Sequence, residues 1–394
     1  MKISGPLRKY GMYVVDEQEF FTKKDALEYA KNDSSRLKFS MFGTDAKSFD
    51  ISADPYPNLS LHDLYRARAE DLRAKYDYLV LALSGGPDST NILETFVNNQ
   101  IHLDEIVNFN SYSRTGKIDG NNNLDYVHNV LPRLQELTKD PKFRTKITIV
   151  DDIDALQNLL GTVYVSGHID LLPGSGGLQR FGFVSGDGIA MSVPHLIDMI
   201  KDGKNVGIIT GVDKPSSVVV SGKRYLTPSD SCRWQFVEWL EANKTLPFYE
   251  WFYQSDRRIL HKQSYLLDQF VKNHPQTQFY QSWRSADPSI RHANSWPSAD
   301  GKMNLRYEYF HSTIYPGQKQ NIVTAKDSDM ILMPRFNSYL EKFERKIKQL
   351  YYHTSIKWIK DNNLSGPRDP NSGRWQIFYD AMPKVYMVDR IELT

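Results

Sequence analysis

Leu81-Ala82-Leu83-Ser84-Gly85-Gly86-Pro87-Asp88-Ser89 joins a short aliphatic run to a glycine-bearing turn, and its reading decides the fold. Residues 78–83 are continuously apolar, the pattern of a strand buried on both faces of a parallel sheet. Residues 90–99 read as a helix with Ile92, Leu93, Phe96 and Val97 turned inward. A buried strand that feeds a glycine turn and then a helix is the geometry of an anion site. Adjacent glycines let the backbone approach phosphate oxygens, the amides point at them, and the helix N-terminus adds its dipole. Gly85 and Gly86 supply the approach, and the hydroxyls of Ser84 and Ser89 can donate to the same oxygens. Asp88 is itself an anion, so its expected work is to help hold a Mg2+ that bridges phosphate oxygens.

Outward from this stretch the pattern repeats. Further strands are expected at residues 105–110, 146–150 and 205–210, separated by helical segments at 124–137, 154–160 and 192–201. Strands alternating with helices give an α/β fold with a parallel sheet, whose ligand crevice lies at the carboxyl ends of the strands. Before it, a strand at 10–15 and a helix at 23–32 behind Thr22 form a small α+β lead-in. Pro55 and Pro57 mark a linker, and Ser60 caps a helix to residue 75 with Leu61, Leu64, Tyr65, Ala69 and Leu72 on one face. After Thr227 the chain is read as mainly helical and aromatic-rich, with helices at 230–243, 255–273 and 327–352 and short strands at 375–379 and 384–388. The expected division is therefore 1–58, a small N-terminal α+β segment; 59–226, the α/β domain that carries the phosphate loop; and 227–394, a substrate or partner domain.

Bulk properties narrow the function classes. Across 394 residues, 49 basic residues stand against 47 acidic ones, so no global field attracts nucleic acid or anionic membrane. The single cysteine, Cys232, leaves no partner for a disulfide, a Cys-based zinc site or a two-cysteine sulfur relay. The opening residues lack the apolar run of a signal peptide and no stretch reaches membrane-spanning length, so the expected location is cytoplasmic, with no membrane partner. Arg257, Arg258, His261 and Lys262 share a helix and offer a basic face, to anionic ligand or to solvent.

The hexapeptide Ser84-Gly85-Gly86-Pro87-Asp88-Ser89 resembles the S-G-G-x-D-S loop of the N-type ATP pyrophosphatases, the PP-loop or adenine-nucleotide alpha-hydrolase superfamily that includes asparagine synthetase, argininosuccinate synthetase and GMP synthetase. The resemblance covers roughly residues 76–215, and some phage-encoded proteins similar to asparagine synthetase carry a similar loop. It implies a Rossmann-like, HUP-type doubly wound sheet, ATP and Mg2+ as the bound groups, and cleavage of ATP to AMP and pyrophosphate. It also implies roles for other positions. Asn110 and Ser111, after the second strand, would contact adenine through backbone groups. Gly211 and Asp213, after the fourth, would face the phosphates, with Asp213 joining Asp88 on the metal and Lys214 neutralising the leaving pyrophosphate. Ser185-Gly186-Asp187-Gly188 is similar to a second acidic motif of asparagine synthetase but lacks its following acidic pair.

Met1 is followed by Lys2 rather than a nucleophilic cysteine, and no glutaminase motif is present, so ammonia or another amine donor would be taken directly or from a partner. The leading expectation is an adenylating ligase that forms an amide or other C–N bond on a small-molecule substrate. A nucleobase- or nucleic-acid-modifying ligase, and a non-catalytic ATP-binding interaction protein, remain alternatives.

Overall fold

The computed structural model describes residues 11–20, 23–31, 36–40, 51–110, 126–151, 193–211, 216–220, 223–227, 248–273, 313–315 and 391–393. The expected elements at 154–160, 230–243, 327–352, 375–379 and 384–388 lie outside them, as do Cys232 and Ser185-Gly186-Asp187-Gly188.

The lead-in is a three-stranded antiparallel sheet of β1 (Met12–Val15), β2 (Gln18–Phe20) and β3 (Lys38–Ser40), with α1 (Lys23–Tyr29) beside it. Asp16 and Glu17 connect β1 to β2, and both take positive φ, +48° and +67°. Two left-handed residues in succession match the twist of the flanking strands, which is why so short a connection closes the hairpin.

α2 (Leu61–Lys75) starts at Ser60, whose hydroxyl accepts from the Asp63 amide while the Asp63 carboxylate accepts from the Ser60 amide. This reciprocal box satisfies two amides that have no partner within the helix. Next come β4 (Tyr78–Ala82), α3 (Pro87–Asn98), β5 (Glu105–Asn110), a π turn (Tyr126–Val130) running into α4 (Leu131–Leu137), and β6 (Lys146–Asp151). α5 (Pro194–Lys201) and β7 (Val206–Thr210) follow, then β8 (Ser216–Val220), β9 (Lys223–Thr227), β10 (Phe248–Trp251), α6 (Arg257–Asn273) and β11 (Ile391–Leu393).

Five strands form one parallel sheet in the order β10-β7-β4-β5-β6. Its inner strands are apolar because both faces are covered. Leu79, Leu81, Ile106 and Ile209 pack with residues of α2, α3, α4 and α6 on one side. Val80, Val107, Val206, Ile208 and Trp251 pack with Leu196 of α5 and Met12 of β1 on the other. This is an α/β fold. Among the described residues no helix is long and apolar enough to cross a membrane.

Three findings depart from the sequence reading. α3 starts at Pro87 rather than at residue 90. Proline suits the first helical position, since its φ is preset and its missing N–H costs nothing there. Asp88 and Ser89 therefore stand in the first turn of the helix. The second departure is β10, which lies beyond residue 226, the expected end of the ATP-binding domain, yet pairs with β7 from Phe248↔Gly207 to Trp251↔Thr210. α6 then packs on the same face as α2, so the chain from 248 to 273 belongs with the sheet. The third is a further antiparallel sheet, β11-β9-β8, which pairs Ile391–Leu393 with the second strand of a hairpin that begins at Ser216.

Candidate phosphate-binding loop

β5 and β6 lie on one side of β4, and β7 and β10 on the other, so the winding direction reverses between β4 and β7. In open parallel sheets the crevice for a ligand opens at that reversal, outside the carboxyl ends of the strands. Ser84-Gly85-Gly86 leaves β4 there, and Gly211 leaves β7 beside it.

The exit from β4 is fixed by β5. The Leu83 amide donates to the Val107 carbonyl at 2.9 Å, and Asn108 Nδ2 donates to the Leu83 carbonyl at 2.6 Å. Gly85 then takes φ +82°, a conformation that side chains oppose, and its carbonyl accepts from Asn129 Nδ2 at 3.1 Å. Asn129 belongs to the π turn ahead of α4, a local irregularity of the kind that clusters at functional sites. Nothing in the sequence stretch 124–137 singled it out.

Gly86 is a different case. Its φ is −72°, which any residue adopts, and an added Cβ would meet only Ser84 Oγ, at 3.5 Å. The loop itself gives no steric reason for glycine at 86. A bare backbone at the N-cap of α3 does leave room for an anion to reach the first amides of the helix.

The two serines divide. Ser89 is buried, accepts from the Ser84 amide at 3.1 Å, and donates to the Gly86 carbonyl at 3.2 Å. It closes the loop on itself. Ser84 is exposed, with its hydroxyl 3.1 Å from that of Ser89, and is the serine turned toward solvent.

Gly211 is brought against this assembly. A Cβ there would stand 2.9 Å from both Asp88 Cβ and the Ser89 amide nitrogen, so only glycine lets β7 pass so near the start of α3. Thr210, just before it, is 5% exposed, and its hydroxyl has no hydrogen-bond partner among the described residues. A buried unpaired hydroxyl costs free energy unless something else satisfies it. Thr210 thus joins the candidate site, and the sequence reading had passed over it. Asn110 ends β5 on the same edge, opposite Asp151. Ser111, Asp213 and Lys214 lie outside the described residues.

Asp88 is half-buried, and its Oδ1 accepts the hydroxyl of Tyr315, while Tyr253 donates to its main-chain carbonyl at 2.7 Å. Both tyrosines are pushed far above their usual pKa, first by burial and then by charge that includes the nearby Asp88 carboxylate, so they remain donors. Among the described residues no three acidic, histidine or cysteine side chains converge on one metal position. Mg2+ bound with a nucleotide needs only one or two carboxylates besides phosphate oxygens, and a carboxylate has about four lone-pair positions. Asp88 fits that requirement while bonded to Tyr315.

Two of the basic residues of α6, Arg258 and Lys262, are committed within the fold. Lys262 is 6% exposed and pairs with Asp54, and Arg258 pairs with Asp256 at 2.7 Å and Asp71 at 3.2 Å. His261 sits edge-on to Tyr56. Compared with known proteins, the chain matches no family model, no curated protein and no solved structure.

Proposed function

We propose that this chain is an adenylating enzyme with a HUP-type nucleotide site, which opens the α–β phosphate bond of ATP to give AMP and pyrophosphate. The observation that carries the reading is Gly86: a glycine at the N-cap of α3 that the loop's own geometry does not require. It stands at the reversal of strand order, where a nucleotide would lie.

In this reading the amides of Gly85 and Gly86 and the hydroxyl of Ser84 hold the β and γ phosphates. Ser89 keeps the loop in shape from within. Mg2+, held by Asp88 and by Asp213, would supply positive charge as the pyrophosphate separates. Lys214 would neutralise the same leaving group, Gly211, which lets β7 pass close to the start of α3, would face the phosphates, and Asn110 and Ser111 would meet the adenine. A substrate oxygen attacks the α phosphorus, the bond to the bridging oxygen breaks, and both electrons leave with pyrophosphate. An amine then displaces AMP from the adenylated substrate, forming an amide or other C–N bond.

The choice of the α–β bond rests on the resemblance of Ser84-Gly85-Gly86-Pro87-Asp88-Ser89 to the pyrophosphatase loop. A nucleic-acid substrate draws less support, because Arg258 and Lys262 spend their charges on Asp54, Asp71 and Asp256. Asp88→Asn tests the assignment. Turnover to AMP should fall about tenfold or more while ATP binding changes far less, as for a residue that acts on charge developing in the transition state. Equal loss of binding and turnover would instead make Asp88 a shaper of the loop.

A further inference from the structure

Residues 313–315 reach the loop from more than two hundred positions downstream, and they are held there firmly. The Tyr65 hydroxyl donates to the Ile314 carbonyl and itself accepts from Gln263 Nε2 at 2.9 Å. Ile314 is 0% and Tyr315 1% exposed. The Tyr315 ring lies 5.5 Å from that of Tyr253, which lies 5.5 Å from that of Tyr65. Out of this aromatic cluster one polar atom, the Tyr315 hydroxyl, emerges against the Asp88 carboxylate.

The contrast with Tyr253 is chemical. Tyr253 donates to the Asp88 main-chain carbonyl and accepts from Asn91 Nδ2 at 3.0 Å. These bonds tie Tyr253 to the first two turns of α3. Tyr315 meets the side chain of Asp88 instead, where its bond fixes the direction of one carboxylate oxygen, and it also bonds to Tyr253.

We propose that Tyr315 is the positioning residue for Asp88: its hydroxyl orients the carboxylate that meets the nucleotide's cation, and so links the C-terminal part of the chain to the phosphate loop. This rests on the function proposed above. A ligand carboxylate that is itself hydrogen-bonded is set in orientation before the metal arrives, and losing such a partner typically costs about 10–100-fold in metal affinity or activity.

The test is the Mg2+ dependence of AMP formation by the full chain, compared among wild type, Tyr315→Phe and Tyr253→Phe, with thermal melting of each. Tyr315→Phe should raise the Mg2+ concentration for half-maximal rate about tenfold or more at saturating ATP, with a melting temperature close to wild type. Tyr253→Phe loses buried bonds of the same kind and should lower the melting temperature while keeping the wild-type Mg2+ dependence. Wild-type Mg2+ dependence in Tyr315→Phe would overturn the inference and leave the function standing. Parallel changes in both variants that follow their melting temperatures would reduce Tyr315 to a packing role. A wild-type protein that never releases AMP would remove the proposed function and this inference with it.

Discussion

Gly85 and Gly86 are neighbours with separate physical reasons for being glycine. At Gly85 the backbone itself demands it, since φ is +82°. Gly85→Ala should destabilise the fold by about 1–2 kcal/mol, the ordinary cost of a side chain in the left-handed region. At Gly86 the backbone is ordinary and the nearest obstacle to a Cβ is 3.5 Å away. Gly86→Ala should therefore cost less than about 1 kcal/mol, no more than a change of N-cap residue. It should nonetheless abolish ATP binding, because the methyl group fills the approach to the amides. Melting curves of both variants, with and without Mg2+·ATP, separate the two effects. A Gly86→Ala protein still stabilised by ATP would show that phosphate does not lie on this backbone.

At the scale of elements, the apolar runs that build β4, β5, β6 and β7 and the Ser60 cap of α2 were plain in the sequence, because each is a local pattern. What escaped depended on distant partners or on a weaker signal. β10 carries Glu250 in its middle, an unpromising residue for a buried strand. The fold accommodates it because Arg68 at 2.9 Å, Lys75 at 2.6 Å and the Tyr76 hydroxyl, all from α2 and its end, meet that carboxylate. The hairpin of β8 and β9 did leave a trace, Val218-Val219-Val220-Ser221-Gly222, a β-branched run before a serine-glycine pair. Tyr315 could not have been found, since no local pattern relates position 315 to position 88.

The opposite end of the sheet holds a second buried acid, Glu105 at the start of β5. It accepts from Thr148 of β6, from Tyr78 of β4 at 2.9 Å, and meets His195 of α5 at 2.7 Å and Lys146 at 3.4 Å. Burial alone would raise its pKa, but the bonds from Thr148, His195 and Tyr78 outweigh it and leave the group below its ordinary value of 4.5. A folded-state value below the unfolded one contributes stability above the unfolded pKa, and that contribution is lost as pH falls through the folded value. Glu105→Gln should therefore cost about 2 kcal/mol near pH 7 and flatten the loss of stability on acidification below about pH 4.5. Urea unfolding of both proteins across that range measures it. An unchanged acid slope would assign the pH dependence to other carboxylates.

For the whole molecule, the strand order β10-β7-β4-β5-β6 sets the reversal beside β4, and the loop, Thr210 and Gly211 meet there for that reason. The alternation of strands and helices foretold the sheet and the motif foretold the loop's place on it. The boundary after residue 226 did not follow, because β10 is continuous with the sheet only in three dimensions. A substrate was not legible at any scale, because no local pattern in the sequence marks an acceptor and no matching protein supplies a precedent. The nucleotide chemistry can be tested without knowing the substrate. Purified protein incubated with Mg2+ and ATP labelled at the α phosphate, alone and with pooled small metabolites and amines, should convert label to AMP in the pool that contains the acceptor, with pyrophosphate released in equal amount. Label recovered in ADP, or ATP retained unchanged in every mixture, would contradict α–β cleavage.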